Sequence, residues 1–134
     1  MISLEINYLV KMPLNLRGVL KKIALNTERQ LKVKKNLEVS LAFISEQRIS
    51  KLNLIYRGQE VVTDVLSFNE VNEIVICFKQ AVRQAKENKL ILKQEIGFLF
   101  SHGLLHLLGY THENPKKFKQ MVTLQEKILK KSLE

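Results

Sequence analysis

Apolar and polar residues alternate at the start of the chain, with Ile2, Leu4, Ile6 and Tyr8 standing between Ser3, Glu5 and Asn7. A two-residue period is that of a strand with one buried face. Pro13 marks a break, and Leu16, Val19, Leu20, Ile23, Leu25 and Leu31 then recur near helical spacing among Arg17, Lys21, Lys22 and Glu28. A basic connection of Lys32, Lys34, Lys35 and Asn36 leads into a second alternating run, Leu37, Val39, Leu41 and Phe43. Ser45 suits a helix cap, and Ile49, Leu52, Leu54, Ile55 and Tyr56 carry a short helix that stops near Gly58, with Arg57 at its exit.

After a loop from Gln59 to Thr63, Val65–Phe68 and Ile74–Phe78 form two β-prone runs. Asn69 to Asn72 joins them in a connection short enough for an antiparallel hairpin. Ala81, Val82 and Ala85 predict a third helix ending near Asn88, and Leu92 to Leu108 predicts a fourth. Asn114 followed by Pro115 has the cap-then-proline order of a helix start, and Phe118, Met121, Val122, Leu124, Ile128 and Leu129 supply that last helix with an inner face. Strands and helices with no linker, repeat or low-complexity segment between them imply one domain over residues 1–134 of α+β, or mixed α/β, class.

Composition and charge change this picture in four places. The 134 residues are 46% hydrophobic, enough for one ordinary core. The single cysteine, Cys77, excludes an internal disulfide and reads as a small core residue, and no basic-then-apolar leader precedes the first strand, so a cytoplasmic location is expected. The longest apolar run, around Ile96 to Leu108, is broken by Ser101, His102 and His106 and is too short to span a bilayer, which makes it a core helix. A net charge of +9 leaves two readings, an anionic partner or simply solvated lysines; of anionic partners, nucleic acid is favoured over membrane.

All three histidines fall between His102 and His112. On a helix, residues four apart are separated by about 40° around the axis and roughly 6 Å along it, so His102 and His106 leave the same face. Gly109 can end the helix and let the next turn bring back His112. Three imidazoles with a fourth position left for water is a catalytic zinc pattern, whereas structural zinc sites usually have four ligands and are rich in cysteine. The frame also matches the metzincin signature H-E-x-x-H-x-x-G-x-x-H, a metzincin-like metal motif with one residue missing: Gly103 stands where those peptidases keep the glutamate that takes a proton from water. Peptidase chemistry is therefore disfavoured, and a phosphodiester is a substrate whose cleavage depends less on that carboxylate. Its developing charge is met by a metal and a guanidinium, for which Arg57 is the candidate; the competing reading is a surface arginine at a helix end.

Other candidates carry two readings each. Glu95, seven residues before His102, either hydrogen-bonds a ligand imidazole or faces solvent. Asp64 and Ser67 either line a cleft or merely satisfy a turn and the backbone.

The segments RGQEVVTDVLSF (Arg57 to Phe68), EIVIC (Glu73 to Cys77) and HGLLHLLGYTH (His102 to His112) closely resemble the YbeY family of bacterial endoribonucleases, and the resemblance covers nearly the whole chain. It implies a metal-dependent endoribonuclease acting on single-stranded RNA in ribosomal RNA maturation, notably at the small-subunit 3′ end, and in ribosome quality control. It also implies a small mixed four-stranded sheet flanked by helices with the zinc-site helix in the core. One zinc ion would be held by His102, His106 and His112, the family's functional arginine falls on Arg57, and the expected partners are ribosomal RNA, the small ribosomal subunit and assembly factors, with no DNA and no membrane. Thr111 departs from the family's usual G-Y-D-H, placing a hydroxyl where an aspartate is usual. Two other classes stay open: a zinc peptidase-like hydrolase using another base such as Glu95, and a non-catalytic metal-stabilised ribosome-assembly factor. Lys32, Lys34, Lys35, Lys116 and Lys117 are candidates for holding an RNA backbone. Three imidazoles accept nickel, copper or iron as well as zinc.

Overall fold

The computed structural model describes residues 1–12, 15–111 and 113–133. Pro13, where the sequence predicts a break, and His112, the expected third ligand, lie outside the described residues. The elements run β1 (Ile2–Tyr8), α1 (Arg17–Leu31), β2 (Leu37–Ile44), α2 (Glu46–Arg57), β3 (Val65–Phe68), β4 (Glu73–Cys77), α3 (Phe78–Glu87), α4 (Leu92–Leu107) and α5 (Pro115–Ser132). The strands form a mixed four-stranded sheet in the order β1-β2-β4-β3. β1 and β4 run parallel to β2, and β3 returns antiparallel against β4 as the predicted hairpin.

Alternation along the strands decides which helices lie on which face. Leu37, Val39, Leu41 and Phe43 of β2 and Ile74 and Ile76 of β4 join one core cluster with α1, α4 and α5. Val75 and Cys77 of β4 point the other way, into a smaller cluster with Ile44, Ile49 and Leu66, under α2. β4 is thus buried on both faces, which explains why EIVIC is nearly continuously apolar instead of alternating.

Capping follows the sequence. Ser45 Oγ accepts from the Arg48 amide at 3.2 Å and Asn114 Oδ1 from the Lys117 amide at 2.9 Å, each satisfying an amide at a helix start. Gly58 and Gly109 adopt positive φ, 75° and 95°, where α2 and α4 end. α4 runs through the middle of the helical layer, with Ile96, Leu99, Phe100, Leu104 and Leu105 all buried. No helix among the described residues is long and apolar enough to cross a membrane.

Some apolar positions depart from their expected roles. Phe78 starts α3 instead of ending the strand. Leu54, Ile55 and Tyr56 are exposed, as is Phe118 on α5. The reason for α2 is geometric: it covers a narrow strip of sheet through Ile49 and Leu52, so only one stripe of a short helix can be buried.

Candidate metal centre

α4 brings His102 and His106 together as the spacing predicts. Their Nε2 atoms are 3.0 Å apart, and the rings meet edge to face with centroids 4.5 Å apart. Two nitrogens aimed at each other at this distance share either a proton or a cation. Nitrogens bound to one tetrahedral zinc at about 2.0–2.1 Å stand roughly 3.3 Å apart, so the pair fits a shared metal ion with only a small adjustment. Both side chains are half-buried, and Phe98, one turn earlier, stacks beside His102 with centroids 6.4 Å apart.

The end of α4 is closed by local bonds that turn the chain back. Gly109 N–H donates to the His106 carbonyl and Tyr110 N–H to the Leu105 carbonyl, each at 3.0 Å. The His106 carbonyl also accepts from Asn69 Nδ2 at 3.4 Å. The β3–β4 turn is thereby tied to the turn of α4 that carries a histidine. Thr111 lies beyond this closure, and its Oγ1 is buried without a hydrogen-bond partner among the described residues. A hydroxyl there can hydrogen-bond but carries no charge.

Gly103 has a packing reason. A Cβ on it would come within 3.0 Å of Ile74 Cγ2 and 3.1 Å of Ile74 Cδ1, so α4 lies against β4 at a separation only glycine permits without displacement. Position 103 faces the sheet, and a glutamate there has no room.

The histidine pair and Arg57 lie in two places, and Ser67 borders both. Ser67 pairs with Ile74 in the β3–β4 register and so shares the sheet face that meets α4. Arg57 ends α2 on the opposite face. It is exposed and lines a groove of about 740 Å³ with Arg48, Tyr56, Ser67, Phe68 and Asn69, so two of the predicted site residues share one cleft, and neither His102 nor His106 lines it. The two places are linked at the hairpin: Tyr56 packs on Phe68 at 4.6 Å between centroids, and the next residue, Asn69, reaches His106.

Glu95 is 3% exposed, and its carboxylate accepts from Gln84 Nε2 at 3.3 Å and Asn88 Nδ2 at 3.5 Å, both belonging to α3 or its end. It does not face solvent, and these bonds to α3 hold it two helical turns from His102. Asp64 Oδ1 accepts from the Val65 amide at 2.7 Å, which makes it a turn cap, while its Oδ2 accepts from Gln84 at 3.2 Å. Gln84 therefore joins two carboxylates from separate elements. Neither Gln84 nor Asn69 stood out in the sequence; each is a polar amide at an ordinary helix or turn position, and only tertiary placement gives it a role.

The arrangement defines a class: a small α+β protein whose central helix carries an imidazole pair with metal-ligand geometry. Residues 5–133 match the family described as Endoribonuclease YbeY. The endoribonuclease YbeY of Phytoplasma australiense is 40% identical over 111 residues, covering 74% of this chain and 77% of that protein. That of Syntrophomonas wolfei is 36% identical over 145 residues, covering 95% and 90% respectively. The solution structure of a Thermotoga maritima protein is similar at a TM-score of 0.71 and 30% identity, covering 98% of this chain and 89% of that one. The chain belongs to the endoribonuclease YbeY family, whose members are metal-dependent hydrolases of RNA phosphodiester bonds.

Proposed function

We propose that this protein is a zinc-dependent endoribonuclease specific for single-stranded RNA. In this reading it works in the cytoplasm on ribosomal RNA, in small-subunit 3′ end maturation and ribosome quality control, alongside the small subunit and its assembly factors. The observation that carries the reading is the 3.0 Å approach of His102 Nε2 and His106 Nε2 in a chain of this family. His102, His106 and His112 would hold one zinc ion. When bound, such an ion supplies a Lewis acid for phosphate oxygens and makes water acidic enough to attack near neutral pH.

The chain's own groups supply the rest. The two imidazoles are held on a helix whose core side is fully packed, so their separation is set before any ligand arrives. Asn69 fixes the last turn of that helix through the His106 carbonyl. Arg57, whose planar guanidinium can donate two parallel hydrogen bonds to phosphate oxygens, holds the strand and meets the charge that grows on them. Its exposure leaves it open to a polymer that must enter from solvent.

The test is cleavage of unstructured RNA by the purified protein with and without chelator, beside His102→Ala and Arg57→Ala and with an unstructured protein as a second substrate. Cleavage of RNA alone, abolished by chelation and by His102→Ala, is the expected result. Cleavage that survives in both variants, or of the protein substrate in preference to RNA, overturns the reading.

A further inference from the structure

A second groove, of about 620 Å³, lies between the end of α1 and the start of α5. Lys32, Lys116 and Lys119 line it together with Tyr110, Gln120 and Thr123, and no carboxylate does among the described residues. The fold gathers these lysines from two places. Lys32 ends α1 in a left-handed conformation, φ 51°. Lys116 and Lys119 are three apart in the first turns of α5 and so share a face at the positive end of an 18-residue helix. Lys117, by contrast, turns to Glu113 at 3.7 Å and is absent from the lining. Three lysines bordering one concavity, with no carboxylate among its described lining residues, repel one another through their charges, and an anion relieves that repulsion. Tyr110 adds an apolar, half-buried ring to the same groove and stands two residues before His112.

We infer that this groove holds the sugar-phosphate backbone of single-stranded RNA beside Tyr110, an inference that rests on the RNA reading above. Lysines bind phosphates as point charges without reading sequence, and an aromatic face accepts any base, so the groove gives grip without sequence preference. Among the described residues it shares no lining residue with the groove of Arg57.

The experiment compares Lys32→Gln/Lys116→Gln/Lys119→Gln with Lys127→Gln/Lys130→Gln/Lys131→Gln. The second set removes the same charge from α5 at a distance of roughly 16 Å along the helix. The probe is a fluorescein-labelled 2′-O-methyl oligoribonucleotide of about 12 nucleotides, read by anisotropy across a salt series. Each lost phosphate contact lowers the log-log salt slope by about 0.7, so three lower it by about 2, which is about 100-fold weaker binding at 0.1 M relative to 1 M salt. The first set should show this loss and a raised KM with kcat unchanged. The second set should bind within a few-fold of the unaltered protein. Equal loss in both sets, or none in the first, overturns the inference. So does loss of binding to a polyglutamate peptide with RNA binding intact, which would indicate an acidic protein partner. Because the probe measures binding and not cleavage, a wild-type protein that binds RNA but fails to cut it counts against the proposed function alone.

Discussion

Replacing Gly103 with alanine adds one methyl group at the closest approach of α4 to the sheet. The new Cβ would stand 3.0, 3.1 and 3.3 Å from Cγ2, Cδ1 and Cγ1 of Ile74, whose side chain is fully buried on β4, between β2 and β3. A β-branched side chain is stiff at χ1, and Cγ2 cannot retreat without rotating the whole group into its neighbours. Overpacking of this kind costs about 1–3 kcal/mol, against which alanine in place of glycine in a helix returns about 1 kcal/mol. The expected net is about 1 kcal/mol of destabilisation, or roughly 4 °C in Tm for a domain of this size. Ile74→Ala alone should cost about 2–5 kcal/mol. Combined with Gly103→Ala it should cost at least about 1 kcal/mol less, because the added methyl then fills vacated space. Thermal and urea unfolding followed by circular dichroism measure all four proteins of this cycle. A Gly103→Ala protein more stable than wild type, or strictly additive effects of the two changes, would refute the account of Gly103 as a packing residue.

Four further outcomes are expected. Elemental analysis should find one zinc per chain after reconstitution and close to none in His106→Ala, and a wild-type protein without bound transition metal would sink the assignment of ligands. Arg57→Ala should lower kcat on RNA by roughly 100-fold, in the range of a lost oxyanion donor, while changing stability by less than about 0.5 kcal/mol because the side chain is exposed; Arg57→Lys should recover only part of the rate. Gln84→Ala removes the amide shared by Asp64 and Glu95 and should cost about 1–3 kcal/mol in urea unfolding, and an unaffected midpoint would show that the bridge contributes nothing. Burial pushes the Cys77 thiol up, so its reactive thiolate is scarce across the usual thiol range; iodoacetamide should label it only in denaturant, and rapid labelling of the native protein at pH 8 would contradict its placement.

Periodicity revealed the elements because local pattern and burial agree nearly everywhere along this chain. β1 and β2 alternate because each has one face against the helices, and Ser45, Gly58, Gly109 and Asn114 mark helix ends through local bonds that need no tertiary partner. Where tertiary packing decides, the pattern misleads. Leu54, Ile55 and Tyr56 look like a core face but α2 has too little sheet beneath it to cover them. The histidine pair was legible because four-residue spacing on a helix is a geometric constant. The lysine groove was only half legible, since Lys32 and Lys116 are far apart in sequence, Lys119 is spaced like any solvated helix residue, and Lys117 turns instead to Glu113.

The same helical constants change the meaning of the missing glutamate. Position 103 lies about 100° around α4 from His102 and about 60° from His106, on the side pressed against Ile74. A carboxylate there would have to enter the sheet interface before it reached a substrate, and burying it unpaired would be costly. Glycine at 103 is thus explained by how close α4 must come to β4, whatever the protein cuts, and its lack of a proton acceptor says nothing about substrate class. The weight for RNA rests instead on family membership and on the exposed guanidinium of Arg57. These separate experimentally: Gly103→Ala perturbs stability, Arg57→Ala perturbs kcat, and the lysine variants perturb KM. If Gly103→Ala instead changed the choice between RNA and protein substrates at unchanged stability, position 103 would be reading the substrate after all.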